Sequence, residues 1–314
     1  MGKFHIAFMC SSDFGIPAFE TLVRGPRYHM VGLITQPDRP AGRGREVTTL
    51  SIKQIAITHG VPVLQPPDLR HPDAIQKVRE LAPDVIVVAA YGQWIPAEVY
   101  DIPPRRSLNI HPSLLPRHRG AAPAMSAILS GDTETGVTVI FVAGKMDTGD
   151  VLGQVRQPIS PEDTTATLMS KLSLVGATLI ADVLPKWLGG KIQPQPQDHS
   201  KATWFGRVKK EQGQIDWAKP AEQIWREVRA YNPWPSAYTF CEGKRLVIHE
   251  AWPLPGYCGD AIPGEVIPAP EGLAVATGDG ALLLRQVQLE GKRPMTGQEF
   301  LRGQRHLLRR RLGF

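Results

Sequence analysis

Phe4-His-Ile-Ala-Phe-Met-Cys10-Ser-Ser-Asp13, continued by Phe14 to Leu22, decides the fold class. The apolar run reads as a buried strand, Ser11-Ser12-Asp13 as a tight turn, and Phe14 to Leu22 as a helix by its apolar spacing. A second apolar run, His29 to Thr35, supplies the next strand. Strand, helix and strand in that order predict a parallel, doubly wound, Rossmann-like α/β sheet. The turn holds one glycine, Gly15, where a dinucleotide-binding turn needs three, so this is not a dinucleotide fingerprint.

Outward from that unit the same alternation continues. Ser51 to His59 and His71 to Leu81 read as helices, and Val61 to Leu64 as a short strand. Asp84-Val-Ile-Val-Val-Ala-Ala90 is continuously apolar, as a strand buried on both faces must be. It runs into Tyr91-Gly92-Gln-Trp-Ile-Pro96, a loop or a plain strand-to-helix turn. Beyond Asp150, Val151 to Gln157 reads as a strand and Thr164 to Leu188 as a long helix opened by Ser160 and Asp163 and closed by Gly189-Gly190. Residues 1–189 are therefore expected as one domain and 190–208, polar with Pro194 and Pro196, as a linker. In 209–314, short β-like runs at 244–251, 264–267, 272–277 and 281–289 lie between Gly and Pro turns after a helix at 221–230, predicting a small β-barrel.

Ser107 to Asp150 carries the chemistry. Ser107-Leu-Asn-Ile-His111 alternates like a short strand, a loop and a small-residue helix come next, and a second β run, Thr135 to Val142, leads to Asp147-Thr-Gly-Asp150. Two strand ends thus deliver Asn109 with His111, and Asp147, to the edge where open α/β sheets bind ligands. An amide, an imidazole and a carboxylate lack the hydroxyl or thiol of a nucleophilic triad, but they can stabilise an oxyanion and move a proton. That suits acyl transfer to a nucleophile brought by the substrate. Taken singly, the same residues fit an Asn turn, a satisfied core histidine and a helix-capping Asp equally well. His111, His118 and Asp147 have no metal-ligand spacing, so no metal is expected.

The strings Asn109-Ile-His111-Pro-Ser113-Leu114-Leu115-Pro116-Arg-His-Arg119-Gly120-Ala-Ala-Pro123 and Asp147-Thr-Gly149-Asp150 resemble the signature of the folate-dependent formyltransferases. The resemblance spans nearly the whole chain. It implies 10-formyltetrahydrofolate as formyl donor, Asn109, His111 and Asp147 as catalytic residues, and Ser113, Leu114, Leu115 and Pro116 as folate-binding residues. Tyr91 and Gly92 are similar to the family's pterin-binding segment, where backbone groups and apolar walls suit a planar heterocycle. The family usually carries a glycine near the position of Cys10-Ser11, a departure in this chain. Asn232-Pro-Trp-Pro235 and the remainder of the chain after it resemble the family's OB-like C-terminal domain.

The substrate is indicated by the basic segments. Gln36-Pro-Asp-Arg39-Pro-Ala-Gly-Arg43-Gly-Arg45 has too many prolines and glycines for a regular element and reads as a projecting basic loop. It resembles the loop of the family members that formylate methionyl-tRNA, a run that those acting on amino sugar nucleotides or hydrolysing the donor generally lack. Arg39, Arg43 and Arg45, with Lys209 and Lys210, are the expected tRNA contacts. Residues 292–314 carry seven basic side chains against Glu299 alone, a solvated tail or a surface tracking phosphates. The expected partners are initiator methionyl-tRNA and the folate co-substrate, met by a monomer. Rivals are a sugar formyltransferase or formyltetrahydrofolate hydrolase, which His118 after Arg117 echoes, and a non-enzymatic RNA-binding protein.

Composition agrees with these expectations. The 314 residues carry net charge +6 with 42% hydrophobic and 21% charged residues, fitting a globular chain with room for two cores. Cys10, Cys241 and Cys258 are too few and scattered for a disulfide framework, so a reducing, cytoplasmic setting is expected. No charged leader with an apolar core opens the chain, and no apolar run is expected to reach the ~20 residues that span a bilayer.

Overall fold

The first strand, β1 (Phe4–Met9), buries Ile6, Ala7, Phe8 and Met9 completely. Its turn is fixed by Ser12, whose hydroxyl accepts the Phe14 N–H at 3.3 Å. α1 (Ile16–Arg24) starts with Pro17 in the first turn, where a missing N–H costs nothing, and buries Ala18, Phe19 and Leu22. β2 (Tyr28–Ile34) then pairs parallel to β1. The structure, a computed structural model, describes residues 2–41, 46–269 and 272–313, with backbone alone at 39–41 and 46–48.

A short antiparallel hairpin, β3 (Arg39–Ala41) and β4 (Glu46–Thr48), occupies the basic segment expected to lack regular structure. Pro40 is tolerated because both strands of a two-stranded ribbon are edges. Arg43 and Arg45 lie outside the described residues. The chain continues through α2 (Ser51–Thr58), β5 (Val63–Leu64), α3 (Pro72–Glu80), β6 (Val85–Val88), α4 (Ala97–Tyr100), β7 (Ser107–His111) and β8 (Arg119–Gly120). Then come α5 (Pro123–Leu129), β9 (Glu134–Phe141), β10 (Val151–Pro158), α6 (Thr165–Leu188) and β11 (Trp204–Phe205).

The main sheet has the order β10-β9-β7-β6-β1-β2-β5. From β7 to β5 all pairings are parallel, while β9 alone is reversed, pairing antiparallel to both β7 and β10. The chain winds from β1 to one side and returns through β6 to the other, so the carboxyl ends of β1 and β6 bracket the switch point where ligands bind in such sheets.

One expectation about the site is corrected by this topology. β9 pairs antiparallel to β7, with Leu108 opposite Phe141 and His111 opposite Thr138. Its carboxyl end therefore lies at the start of β7, and residues 142–150 must turn back to bring Asp147 to His111. Periodicity alone does not reveal strand direction.

Two compact units divide the chain. The first comprises Met1–Pro123, Glu134–Pro158 and Met169–Phe205, and the second Ala124–Thr133, Ile159–Leu168 and Gly206–Phe314. Within the first, Gly176 of α6 allows the helix against the sheet, since a Cβ there would stand 2.9 Å from Ile110 Cγ2. Although Lys171 and Asp182 interrupt its apolar run, α6 is, by length and composition alone, apolar enough to cross a membrane. Its apolarity has a packing cause: Leu172, Leu179, Ile180, Val183, Leu184 and Leu188 are all buried.

The second unit contains α7 (Ala221–Ala230), β12 (Ala237–Cys241), β13 (Lys244–Leu254), β14 (Val266–Ala269), β15 (Gly272–Ala276), β16 (Ala281–Leu289), β17 (Met295–Thr296) and α8 (Gly297–Gly303). Its antiparallel sheet runs β12-β13-β16-β15-β14, with β17 also on β16. Among the described residues no ladder joins β12 to β14 directly; the backbone of 309–313 instead bonds to Gly264 and Val266 at one edge and to Phe240 of β12 at the other. Short runs between Gly and Pro turns look alike in an open sheet and in a barrel. Ile224 and Val228 of α7, Phe300 of α8, Leu307 and Leu312 instead share one core with Leu246, Ile248, Val275, Leu282 and Leu284.

The basic tail is consequently folded. Thr296 and Glu299 form a reciprocal capping box at α8. Val266 accepts the Arg309 N–H at 2.9 Å and donates to Arg310 O at 2.8 Å. Arg302, Arg305, Arg309 and Arg310 remain exposed.

Candidate active site

Asn109 and His111 lie two apart on β7 and so share one face of the sheet. Asp147 meets them from the 142–150 turn. Its Oδ1 is 3.5 Å from Asn109 Nδ2 and 3.5 Å from His111 Nδ1. Its Oδ2 accepts the Gly120 N–H at 2.8 Å. One carboxylate oxygen is thus firmly held, and the other stands at the long limit of hydrogen bonding to two donors.

His111 is further fixed at Nε2, 3.1 Å from the His118 carbonyl oxygen. A carbonyl can only accept, so Nε2 carries a proton and Nδ1 is the atom turned to Asp147. The His111 and Asp147 side chains are 5% and 9% exposed, which removes most of the water that would weaken their interaction.

The turn geometry explains the residue types around this cluster. Asp147 has φ +55° and His118 φ +57°, left-handed conformations in which Asp and His are enriched among non-glycine residues. Gly120 has φ +109°, and a Cβ there would lie 2.2 Å from Phe205 O. At Gly149 a Cβ would lie 1.9 Å from Phe141 O, so the end of β9 and the returning turn touch through backbone.

A formyl transferase family model matches residues 18–184, and a formyl transferase C-terminal domain model matches 207–305. Methionyl-tRNA formyltransferase of Roseiflexus sp. (strain RS-1) is 46% identical over 308 residues, 98% of this chain and 95% of that protein. The chain belongs to the methionyl-tRNA formyltransferase family. The Bacillus subtilis (strain 168) member is 42% identical over 300 residues, 95% of this chain and 94% of that protein. Among solved structures, HypX from Aquifex aeolicus in complex with tetrahydrofolic acid shares the fold, with TM-score 0.62 and 21% identity over 94% of this chain and 46% of that one.

The residues that the family likeness marks for folate fall in two places in the first unit. Tyr91 and Gly92 come after the carboxyl end of β6. Tyr91 is buried, its hydroxyl has no hydrogen-bond partner among the described residues, and burial raises its pKa above the usual tyrosine range. Gly92 has φ +81° and adjoins Gln36, whose amide donates to Tyr91 O at 3.3 Å. Cys10, at the neighbouring carboxyl end of β1, packs its thiol where a Cβ on Gly15 would be, 2.4 Å away.

Ser113, Leu114, Leu115 and Pro116 lie over β9 and β10 instead. The Ser113 hydroxyl donates to Arg117 O at 2.8 Å, and Thr138 Oγ1 donates to Ser113 O at 2.6 Å. Gln154 donates to Leu115 O at 3.0 Å, and Leu115-Pro116 is a cis peptide. Ser113 and Leu115 are buried, while Leu114 and Pro116 are partly exposed.

Of the expected tRNA contacts, Arg39 sits on β3, and Lys209 and Lys210 are exposed in the second unit, where Gln212 Oε1 accepts the Lys209 N–H at 2.6 Å.

Sequence reasoning missed the parts that act through backbone. The Gly120 N–H and His118 carbonyl are invisible as side chains. The segment expected as a linker contributes Thr203, whose Oγ1 accepts the His118 N–H at 2.8 Å and whose carbonyl accepts the Arg119 N–H at 2.9 Å. It also contributes Gln197, buried between exposed neighbours and bonded to the Asp147 turn. The pairing of β8 with β11 is what binds this segment to the site loop.

Proposed function

We propose that the chain transfers the formyl group of 10-formyltetrahydrofolate to the α-amino group of initiator methionyl-tRNA, with Asn109, His111 and Asp147 as its catalytic residues. The observation that carries the mechanism is the position of Asp147 Oδ1 between Asn109 Nδ2 and His111 Nδ1, 3.5 Å from each. The acceptor brings its own nucleophile, an amine whose reference pKa of roughly 7.7–8.0 leaves a neutral fraction near pH 7. No enzyme nucleophile is needed.

The amine lone pair attacks the formyl carbon, and the carbonyl π pair moves to oxygen. Asn109 Nδ2–H donates to that oxyanion, and so does Nδ1–H of the His111 imidazolium, whose charge the Asp147 carboxylate balances. Asp147 Oδ1 takes the proton released by the attacking nitrogen. The oxyanion then collapses, the bond from carbon to N10 breaks, and Asp147 passes the proton it has taken to N10, which regenerates the carboxylate and leaves tetrahydrofolate and the formylated amine. The 3.5 Å contacts leave room for the reacting group, and catalytic hydrogen bonds commonly tighten only when substrate is bound.

In this reading the loop of Tyr91 and Gly92, at the carboxyl end of β6, borders the folate heterocycle. Ser113 to Pro116 contribute packing rather than hydrogen bonds to the folate in the same reading, since the Ser113 hydroxyl and the Leu115 carbonyl are already bonded within the fold. Arg39, Arg43, Arg45, Lys209 and Lys210 meet the phosphates of the tRNA. The working protein is a cytoplasmic monomer, with residues 1–189 as the catalytic domain, 190–208 as a connecting segment and 209–314 as an OB-like tRNA-binding domain.

The test is transfer of labelled formyl from 10-formyltetrahydrofolate to methionyl initiator tRNA, free methionine and an amino sugar nucleotide. Transfer to the tRNA alone supports the proposal. Formylation of the sugar, or release of formate without transfer, contradicts it.

A further inference from the structure

Gln197 stands in a segment whose composition suggests a spacer, yet its amide is one of the most fully used in the fold. Nε2 donates to Asp147 O at 2.9 Å and to Gly149 O at 2.7 Å. Oε1 accepts from Arg119 Nη2 at 2.5 Å. The same Arg119 Nη2 lies 2.8 Å from His199 Nδ1, and its guanidinium stands over the Trp204 ring at 5.5 Å. Arg119 itself is 3% exposed.

These bonds form a closed circuit around the Asp147 side chain. Gly120, the residue after Arg119, holds the carboxylate through Oδ2, and Arg119 holds the backbone of the same turn through Gln197. The amide has only one workable orientation. Flipped, it would put NH₂ against a guanidinium and oxygen against two carbonyls, leaving all of them unpaired in a buried place. Asp147 is in the left-handed region at φ +55°, a conformation that persists when its surroundings over-determine it.

We infer that Gln197, oriented by Arg119, is a positioning residue that fixes the Asp147–Gly149 backbone and thereby aims the Asp147 carboxylate. It touches no reacting atom. Its part in catalysis rests on the proposed function above, whereas its hold on the turn does not.

Two substitutions separate the functions of the amide. Gln197→Glu keeps an acceptor for Arg119 but faces the two carbonyls with oxygen. Gln197→Met keeps the length and removes both. The first readout is exchange of the Gly120 amide proton in the full chain by NMR, because that N–H is the one Asp147 Oδ2 accepts. Its exchange is expected to quicken about ten-fold or more in both variants while the unfolding midpoint stays near wild type, a local rather than global opening. The second readout is formyl transfer. A drop in kcat of about ten- to a hundred-fold is expected, with KM for donor and tRNA within about two-fold, as misplacement of a catalytic group near 1 Å commonly produces.

Unchanged Gly120 exchange in either variant overturns the inference. So does a fall in kcat that only tracks a fall in the unfolding midpoint. If wild type fails to formylate methionyl-tRNA while the variants still free the Gly120 amide, the functional reading fails and the positioning role stands.

Discussion

Gly120 donates its backbone N–H to Asp147 Oδ2 at 2.8 Å, so one oxygen of the carboxylate is held by a group that no side-chain substitution can remove directly. The other oxygen is left facing Asn109 and His111 at 3.5 Å. In the proposed mechanism this second oxygen is the one that accepts the proton.

Asp147→Asn keeps the shape and removes the charge. Loss of a positioned acid–base group typically costs ~10²–10⁴ in rate, so kcat is expected to fall by that order with KM for folate nearly unchanged. Steady-state kinetics with each substrate varied in turn checks this, and a large rise in the folate KM at constant kcat would contradict the assigned role.

Gly120→Ala places a methyl 2.2 Å from Phe205 O at φ +109°. Gly60→Ala, at φ +69° with open space around it, carries conformational strain without the clash. Strained backbone costs ~1–3 kcal/mol. Differential scanning calorimetry is therefore expected to show a clearly lower midpoint for Gly120→Ala than for Gly60→Ala. Equal midpoints would show that β11 moves aside freely.

Burial pushes the Cys10 thiol from its ordinary 9.0 up to about 11. The folded pKa lies above the unfolded one, so this contribution to stability is complete below pH 9 and is lost as pH rises through about 11. Two pH units correspond to ~3 kcal/mol at most. Denaturant unfolding at pH 8 and at pH 11 is expected to show wild type losing more stability than Cys10→Ala over that interval. Equal losses would mean that the thiolate is accommodated.

Arg39, Arg43 and Arg45 replaced together by Ala are expected to raise KM for tRNA and leave KM for the folate unchanged. The slope of log affinity against log salt should flatten by about 0.9 for each phosphate contact removed. A parallel change in both KM values would place these residues in the fold rather than in substrate capture.

How far the sequence could be read depended on how locally each feature is encoded. β6 is legible because Val85 to Val88 are consecutively apolar, and α6 because its apolar spacing runs from a polar start to Gly189-Gly190. Asn109, His111 and Asp147 are marked by the resemblance of their two strings, since taken singly each residue type fits an ordinary structural place. The direction of β9 is not legible, since a strand has the same alternation read either way. Gln197 bonds to Asp147 and Gly149 across 50 and 48 residues, so no local pattern marks it. In sequence it is the third of three glutamines, Gln193, Gln195 and Gln197, that alternate with prolines, and nothing local distinguishes it from the other two. α8 was hidden by the arginines around it, although Thr296 and Glu299 carry the spacing of a capping box.

The account rests on Asn109 and His111 donating to the same oxyanion that forms beside Asp147. Single-turnover formyl transfer with saturating folate and methionyl-tRNA, compared for wild type, Asn109→Ala, His111→Ala and the double variant, tests it most directly. Each single change is expected to cost ~10²–10³ in rate. The double variant should be little slower than the worse single one, because groups that act as a unit are strongly non-additive. Full multiplication of the two losses, or a single variant with wild-type rate, would contradict it.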